Sequence, residues 1–344
     1  MGQMKHMKAW VLERHHRDAQ RAFALRERPD PVAGPGQVLI RSEGFGLNYA
    51  DVMARKGLYR DAPPPPCVIG YETVGRVVKC GPGAAPEMVG KRVVAITRFG
   101  GYAEQVATDH RACAVVPDNM GLGEALALAT QGCTAWYMAT IGSPLREGQR
   151  VLIHSAAGGV GQLLVTIAVH AGSEVFAVAS GKEKMDFLKG LGAHHVIDRS
   201  QGDYAEQVRT LLKTDRIDVS FNAVGGTSFK KDMRLLGECG TLVMYGGAER
   251  SGGFFGALGF VWSMGLVIPI LLMMRSQSLI GVNMLRMGER HPLLLAQCIT
   301  ELAGAARDGW LRPHVQEVFG ADRLPEAQAL LESGRSMGKV AVKW

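Results

Sequence analysis

Val151-Leu152-Ile153-His154-Ser155-Ala156-Ala157-Gly158-Gly159-Val160-Gly161-Gln162-Leu163-Leu164-Val165 is the stretch on which the fold turns. Its apolar start reads as a strand, its centre as a glycine-rich turn and its end as the opening of a helix. Glycines let a backbone turn sharply and come close to a pyrophosphate. The helix N-terminus then offers that anion unpaired N–H groups and the positive end of a dipole. Ala157, Gly158, Gly159, Val160 and Gly161 are the candidate pyrophosphate residues; a tight strand-to-helix turn without a ligand is the plainer alternative. A lone loop of this kind is weak, but here the pattern continues outward. Strand-like runs Arg150–His154, Glu174–Ala179, His195–Ile197, Val219–Ala223 and Gly240–Gly246 alternate with helix-length segments Val160–Ala171, Glu183–Leu191, Tyr204–Leu212 and Ser228–Leu236. That order predicts an α/β domain with a doubly wound parallel sheet. An apolar run Ser278–Val282 and a helix Pro292–Ala306 follow.

The N-terminal part is β-rich instead. Short β-branched or alternating runs, Lys8–Leu12, Gln37–Gly44, Thr73–Cys80 and Arg92–Ile96, are separated by the turn sequences PDPVAGPGQ, GPGAAPEMVG and FGGY. Asp61-Ala62-Pro63-Pro64-Pro65-Pro66 reads as an extended surface loop. The last strand, Lys339-Val340-Ala341-Val342-Lys343-Trp344, alternates charged and apolar residues and has no place in the parallel set, so it is assigned back to the first domain. The expected organisation is therefore residues 1–125 in a first domain, 126–308 inserted as a second, and 309–344 returning to the first. A chain of 344 residues suits two cores.

Hydrophobic residues at 47% and charged residues at 21% place the chain in the globular class. Lys plus Arg exceed Asp plus Glu by 39 − 32 = 7, yet the positive residues are scattered. Solubility and one anionic ligand account for them, and nucleic acid is not expected because no basic block is interleaved with aromatics. The six cysteines form no CxxC pair, which indicates neither a zinc knuckle nor a disulfide framework and fits a reducing cytoplasm. Met1 to Lys8 lacks the apolar core of a signal peptide. From Ser251 to Met274 no charged residue occurs, a length that could span a bilayer. Gly252, Gly253, Gly256, Gly259, Gly265 and Pro269 argue against a spanning helix. A buried pocket or interface wall is the first expectation, and peripheral membrane contact through Phe254, Phe255, Phe260 and Trp262 the second.

The end of the second strand chooses between nucleotide cofactors. An NAD site places Asp or Glu there, roughly 20 residues on, to bind the ribose 2′-hydroxyl. This chain reads Ala179-Ser180-Gly181-Lys182-Glu183-Lys184, with Arg199 after the third strand. A hydroxyl and cations suit a 2′-phosphate, so NADPH is the expected cofactor. Ser180 and Lys184 are the first candidates and Lys182 and Arg199 the next; solvated lysines on a helix face are the alternative.

Gly46-Leu47-Asn48-Tyr49-Ala50-Asp51-Val52-Met53-Ala54-Arg55-Lys56-Gly57-Leu58-Tyr59, Ile69-Gly70-Tyr71-Glu72-Thr73-Val74-Gly75, the Ala156–Gly161 loop and Phe221-Asn222-Ala223-Val224-Gly225-Gly226 run through most of the chain in order. Together they resemble the zinc-free quinone oxidoreductases of the medium-chain dehydrogenase/reductase superfamily, in the zeta-crystallin-like and vesicle amine transport protein-like branch. The resemblance implies a Rossmann domain inserted in a GroES-like, mostly β domain. Zinc-dependent relatives carry metal-binding Cys, His and Cys where this chain has Asn48, Tyr71 and a residue close to Thr130, so no metal is expected. The resemblance implies hydride transfer from NADPH to a small-molecule acceptor, a quinone or other activated carbonyl or alkene. It places Asn48, Asp51, Tyr59 and Tyr71 at the substrate, and Gln131 and Thr134 near the nicotinamide. Asn222, Gly246 and Asn283 are implied to bond the cofactor. Asn48 could donate to a quinone oxygen. Tyr59 is either a proton donor or a loop aromatic, and Asp51 is expected to fix a loop. His15, His16, His194 and His195 read as surface residues. Relatives pair the strand equivalent to Ser278–Val282 with its copy, so a homodimer is expected. Two alternatives stay open: an enoyl-thioester reductase, and an NADPH-binding lipid- or membrane-associated protein with little turnover.

Overall fold

The computed structural model describes residues 6–247, 259, 262–265 and 267–344. Of the uncharged segment, residues 251–258, 260, 261 and 266 lie outside the described residues, and with them the expectations placed on Phe254, Phe255 and Phe260. The chain divides into two compact units, Met1–Cys133 with Met284–Trp344, and Thr134–Asn283.

The first unit opens with β1 (His6–Leu12), antiparallel to β2 (Phe23–Pro29). Then come β3 (Gln37–Leu47), β4 (Glu72–Cys80), β5 (Arg92–Ile96), β6 (Gln105–Asp109) and β7 (Cys113–Val115). The second unit holds β8 (Arg150–Ile153), β9 (Glu174–Ala179), β10 (His195–Asp198), β11 (Ile217–Asn222), β12 (Leu236–Met244) and β13 (Ser278–Gly281). The chain ends in β14 (Val315–Gly320) and β15 (Lys339–Lys343) of the first unit.

In the first unit the sheet order is β14-β15-β3-β4-β5-β7, with β6 on β3. Its core joins Trp10, Leu12, Phe45, Leu47, Tyr102 and Val340, with the Phe45 and Tyr102 rings 4.4 Å apart. Four consecutive residues of β15, Lys339 to Val342, are fully buried, so packing covers both its faces. The alternation read from the sequence put both terminal lysines outward; Lys343 is exposed, but Lys339 is fully buried. The unit boundaries also differ from 125 and 308. Helix Leu122–Ala127 packs on β3, β14 and β15, and helix Pro292–Arg307 packs on His110–Ala112 and β7. The chain thus leaves the first unit later and re-enters it earlier than expected.

The second unit is a parallel sheet in the order β10-β9-β8-β11-β12-β13. Its chain order reverses between β8 and β11, the switch point where such sheets bind ligands. After β8 the backbone turns at Ser155 (φ 50°), and a twelve-residue helix starts at Gly159. A Cβ at Gly161 would collide with the Ser155 carbonyl and Ala156, so only glycine lets the helix close on the loop.

One buried carboxylate ties this end of the sheet together. Asp232 Oδ1 meets His154 Nε2 at 3.0 Å and accepts from the Tyr204 hydroxyl at 2.7 Å. Its Oδ2 accepts from Ser220 Oγ at 2.9 Å and Asn222 Nδ2 at 2.6 Å. Burial alone would raise its pKa, but His154 and the donated hydrogen bonds outweigh burial and hold it below the usual carboxylate range. Replacing Asp232 by Ala leaves four buried polar groups without their acceptor. We expect a loss of about 3 kcal/mol or more in denaturant unfolding; an unchanged midpoint would show that the network carries no stability.

Candidate active site

In the first unit, β3 ends at Leu47 and a short helix spans Tyr49–Arg55. Asn48 stands at the junction with extended backbone, and its N–H donates to Asp51 Oδ2 at 2.7 Å, closing the first turn. Asp51 is fully buried. Burial pushes its carboxyl up to about 8; Glu72 adds to the rise, while the Asn48 N–H bond and Lys339 oppose it. The Tyr102 hydroxyl, which accepts from Gln328 Nε2 at 3.1 Å, also acts on Asp51.

Beneath Asn48 lies a fully buried ion pair between Lys339 and Glu72. Lys339 Nζ also reaches the Leu47 carbonyl at 3.3 Å and Asn48 Oδ1 at 3.5 Å. The second Glu72 oxygen accepts from the Thr130 N–H at 2.9 Å. Gly46 makes the room, since a Cβ there would strike both the Glu72 carboxylate and the Lys339 side chain. Asn48 is 5% exposed, and its Nδ2 has no hydrogen-bond acceptor among the described residues. A buried donor left open costs about 1–3 kcal/mol, which marks Asn48 as a group waiting for a ligand.

Tyr59 and Tyr71 meet edge to face at 6.0 Å, and Phe99 lies 5.2 Å from Tyr71. Burial, then the Asp61 and Asp51 charges, push the Tyr59 phenol up; burial and Asp51 do the same to Tyr71. The Tyr71 hydroxyl finds no partner of regular hydrogen-bond geometry. Arg286 clamps Asp61 through two contacts of 2.9 and 3.4 Å, fixing the loop that carries Tyr59. The structure therefore gathers Asn48, Asp51, Tyr59 and Tyr71 in one unit. Gln131, buried, joins them by donating to the Leu47 carbonyl at 3.4 Å. Lys339, Tyr102 and Gln328 belong to the same cluster and were not read from the sequence.

The second unit carries the nucleotide residues. Gly158 precedes the helix that starts at Gly159, with Val160 and Gly161 in its first turn and Ala157 buried before it. At the ends of β9 and β10, Arg199 Nε donates to Ser180 Oγ at 2.8 Å. Burial, and then Arg199, lower the Lys184 pKa. Asp198 stands close by, and its Oδ1 accepts from the Ser200 N–H and hydroxyl and from the Gly181 N–H. Lys182 is exposed. A cavity of about 240 Å³ is lined by His154, Val178, Arg199, Tyr204, Val224 and Lys231.

Thr134 is buried at the start of this unit, and Asn283 is exposed at its end. A Cβ at Gly246 would meet the Ala223 carbonyl at 2.6 Å. Asn222 departs from its expected role. Its amide donates to Asp232 and Ser228, and its oxygen accepts from the Val224 and Gly225 N–H groups. Its side chain shapes that turn. The histidines also differ in detail. His195 pairs with Glu174 at 2.7 Å, His194 accepts from the Val175 N–H, and the structurally committed histidine is His154. Among the described residues no group of three or more His, Cys, Asp or Glu gathers as a metal site. Nor, among them, is any helix long and apolar enough to cross a membrane.

The Alcohol dehydrogenase GroES-like domain model matches residues 34–142, and the Zinc-binding dehydrogenase model matches residues 159–296. The chain is 30% identical over 324 residues to the synaptic vesicle membrane protein VAT-1 homolog of Rattus norvegicus, covering 92% of this chain and 79% of that protein. A mycobacterial protein solved in complex with NADPH superposes with a TM-score of 0.84 at 29% identity, covering 98% of this chain and all of that one (100%). The quinone oxidoreductase of Coxiella burnetii gives 0.81 at 25% identity over 99% of this chain and 100% of its own.

The Asp51 carboxyl generates a prediction with a definite sign. With its folded pKa raised from 3.8 to about 8, the folded state holds a proton that the unfolded state releases. Its contribution is therefore most favourable below about pH 4, declines as pH rises, and levels off above about 8, at up to about 1.4 kcal/mol per pH unit in between. Asp51→Asn removes that slope. We expect the stability of the variant relative to the wild type to climb between pH 5 and 8 in chemical unfolding; parallel curves would place the carboxyl at its ordinary pKa.

Proposed function

The chain belongs to the medium-chain dehydrogenase/reductase family, and from that premise we propose that it is an NADPH-dependent reductase of a quinone or another activated carbonyl or alkene. The cofactor half of the proposal rests on the Ser180–Arg199 contact with Lys184 beside it, at the end of β9 where Ser180 stands in place of the acid of an NAD site. A 2′-phosphate would accept from both cations and would oppose the lowering of the Lys184 pKa by burial and by Arg199. The turn before Gly159 and the helix that starts there fit a pyrophosphate, because Gly161 lets the helix N-terminus close on the loop. When bound, NADPH supplies the hydride.

The first unit's side chains then do the rest. Asn48, with a buried and open Nδ2, orients the acceptor by donating to its oxygen. Tyr59, its phenol pushed up by burial and carboxylates, stays protonated at neutral pH and is suited to give a proton rather than take one. Where zinc-dependent relatives polarise substrate with a metal, this chain offers Asn48 and Tyr71, so activation falls to neutral donors and favours acceptors that are already electron-poor. An enoyl-thioester reductase is the nearest alternative, and saturation of an alkene without quinone turnover would favour it.

Two partner readings rest on surface observations. Among the described residues strand β13 is paired only by β12, which leaves an edge for a second copy. Trp262, Met273 and Met274 are 77%, 68% and 73% exposed, and helix Pro269–Met274 buries none of its residues, which favours peripheral contact with a lipid surface. Flotation with anionic vesicles tests the latter, and protein that stays with the soluble fraction would remove it.

The decisive experiment is NADPH oxidation over a small panel of quinones and enones, with NADH in parallel. We expect turnover with NADPH and little with NADH. Lys184→Ala should raise the KM for NADPH about 10-fold while leaving that for NADH unchanged. Tight NADPH binding without turnover on any acceptor would overturn the reductase reading.

A further inference from the structure

The Asn48 amide has two ends, and the structure gives them different partners. An ammonium carries only donors, so the amide atom that faces Lys339 Nζ at 3.5 Å must be the oxygen. The NH2 end is thereby turned away from the ion pair, into a buried position where the protein supplies no acceptor. Lys339 cannot move off to leave the amide free to turn over. Its Nζ is held by Glu72 and the Leu47 carbonyl, and Glu72 is held in turn by the Thr130 N–H. Asn48's own backbone is fixed by Asp51.

We propose that Lys339 is a positioning residue that locks the Asn48 amide with its oxygen inward, so that Nδ2 donates to the carbonyl oxygen of the acceptor. This rests on the carbonyl-reducing reading of the site and deepens it. The ligand atom that fits an open N–H is a lone-pair oxygen, and the ketone or quinone oxygen that gains negative charge during reduction draws the most from it. Lys339 itself touches no substrate. Its charge is neutralised by Glu72, and its effect is exerted through the orientation of one amide.

The test reads the hydrogen bond directly. Cyclohex-2-en-1-one carrying a 13C carbonyl is bound to the protein without cofactor, and its stretching band is followed by isotope-edited infrared spectroscopy. Wild-type protein should shift the band to lower frequency. Lys339→Met combined with Glu72→Gln removes both charges together, so that neither is left buried alone. That pair should lose the shift and lower kcat on 1,4-benzoquinone about 10- to 100-fold, with the KM for NADPH unchanged. Lys339→Gln in the Glu72→Gln background restores a donor to Asn48 Oδ1 and should recover part of both. Asn48→Asp keeps the ion pair in place for folding but offers an oxygen where the N–H stood, and should abolish the shift. A full shift in Lys339→Met/Glu72→Gln, or in Asn48→Asp, overturns the proposal. Failure of the wild type to oxidise NADPH with any acceptor overturns the reductase reading instead, and the band shift still reports on Lys339 and Asn48.

Discussion

A lysine ammonium and a glutamate carboxylate, both withdrawn from water, set the terms for the whole first unit. Two charges in such a place are tolerated only when their remaining valences are filled, and here the Leu47 carbonyl, the Asn48 amide oxygen and the Thr130 N–H fill them. Each of these groups belongs to a different part of the chain: the end of β3, the junction before helix Tyr49–Arg55, and the segment that leads out of the unit. The pair therefore fixes the ends of three segments at one point. It also dictates Gly46, where any side chain would occupy the space the two charged groups need. Reactive side chains placed on such a scaffold inherit its rigidity.

The second unit solves a comparable problem with one charge in place of two. Asp232 gathers His154 from the end of β8, Ser220 and Asn222 from β11, and Tyr204 from a helix. The residue next to His154 begins the nucleotide turn, and Asn222 shapes the turn after β11. A single buried carboxylate thus holds the two loops that flank the switch point of the sheet. Both units place a buried charge directly behind the loops that carry the candidate site residues, where rigidity matters most.

Much of this was legible in the sequence, for definable reasons. The parallel sheet was readable because β8 and β9 are nearly continuous apolar runs after their first residue, each followed by a segment of helical length. Asn48, Tyr59 and Tyr71 became candidates through the family resemblance that their motifs carry, and Ser180 and Lys184 through the missing acid after β9. Lys339 was hidden because period-two alternation assumes one wet face, and β15 has none. Asn222 was assigned to the cofactor because position alone does not reveal that Asp232, ten residues later, would claim its amide. His154 sits inside the quoted motif, but its partner lies 78 residues away, beyond anything local spacing can show.

The separation of the two members of the buried pair has a consequence for the growing chain. Glu72 and Lys339 are 267 residues apart. At roughly 5–20 residues per second of synthesis, the carboxylate emerges roughly 13 to 53 s before its counter-ion. Throughout that interval it must keep its hydration, because a bare carboxylate cannot enter a dry interior. Strands that closed around it before β15 emerged would have to enclose the carboxyl in its neutral, protonated form. A pulse of protease on stalled nascent chains would see the hydrated form as an open seam, and would see it vanish when β15 arrives.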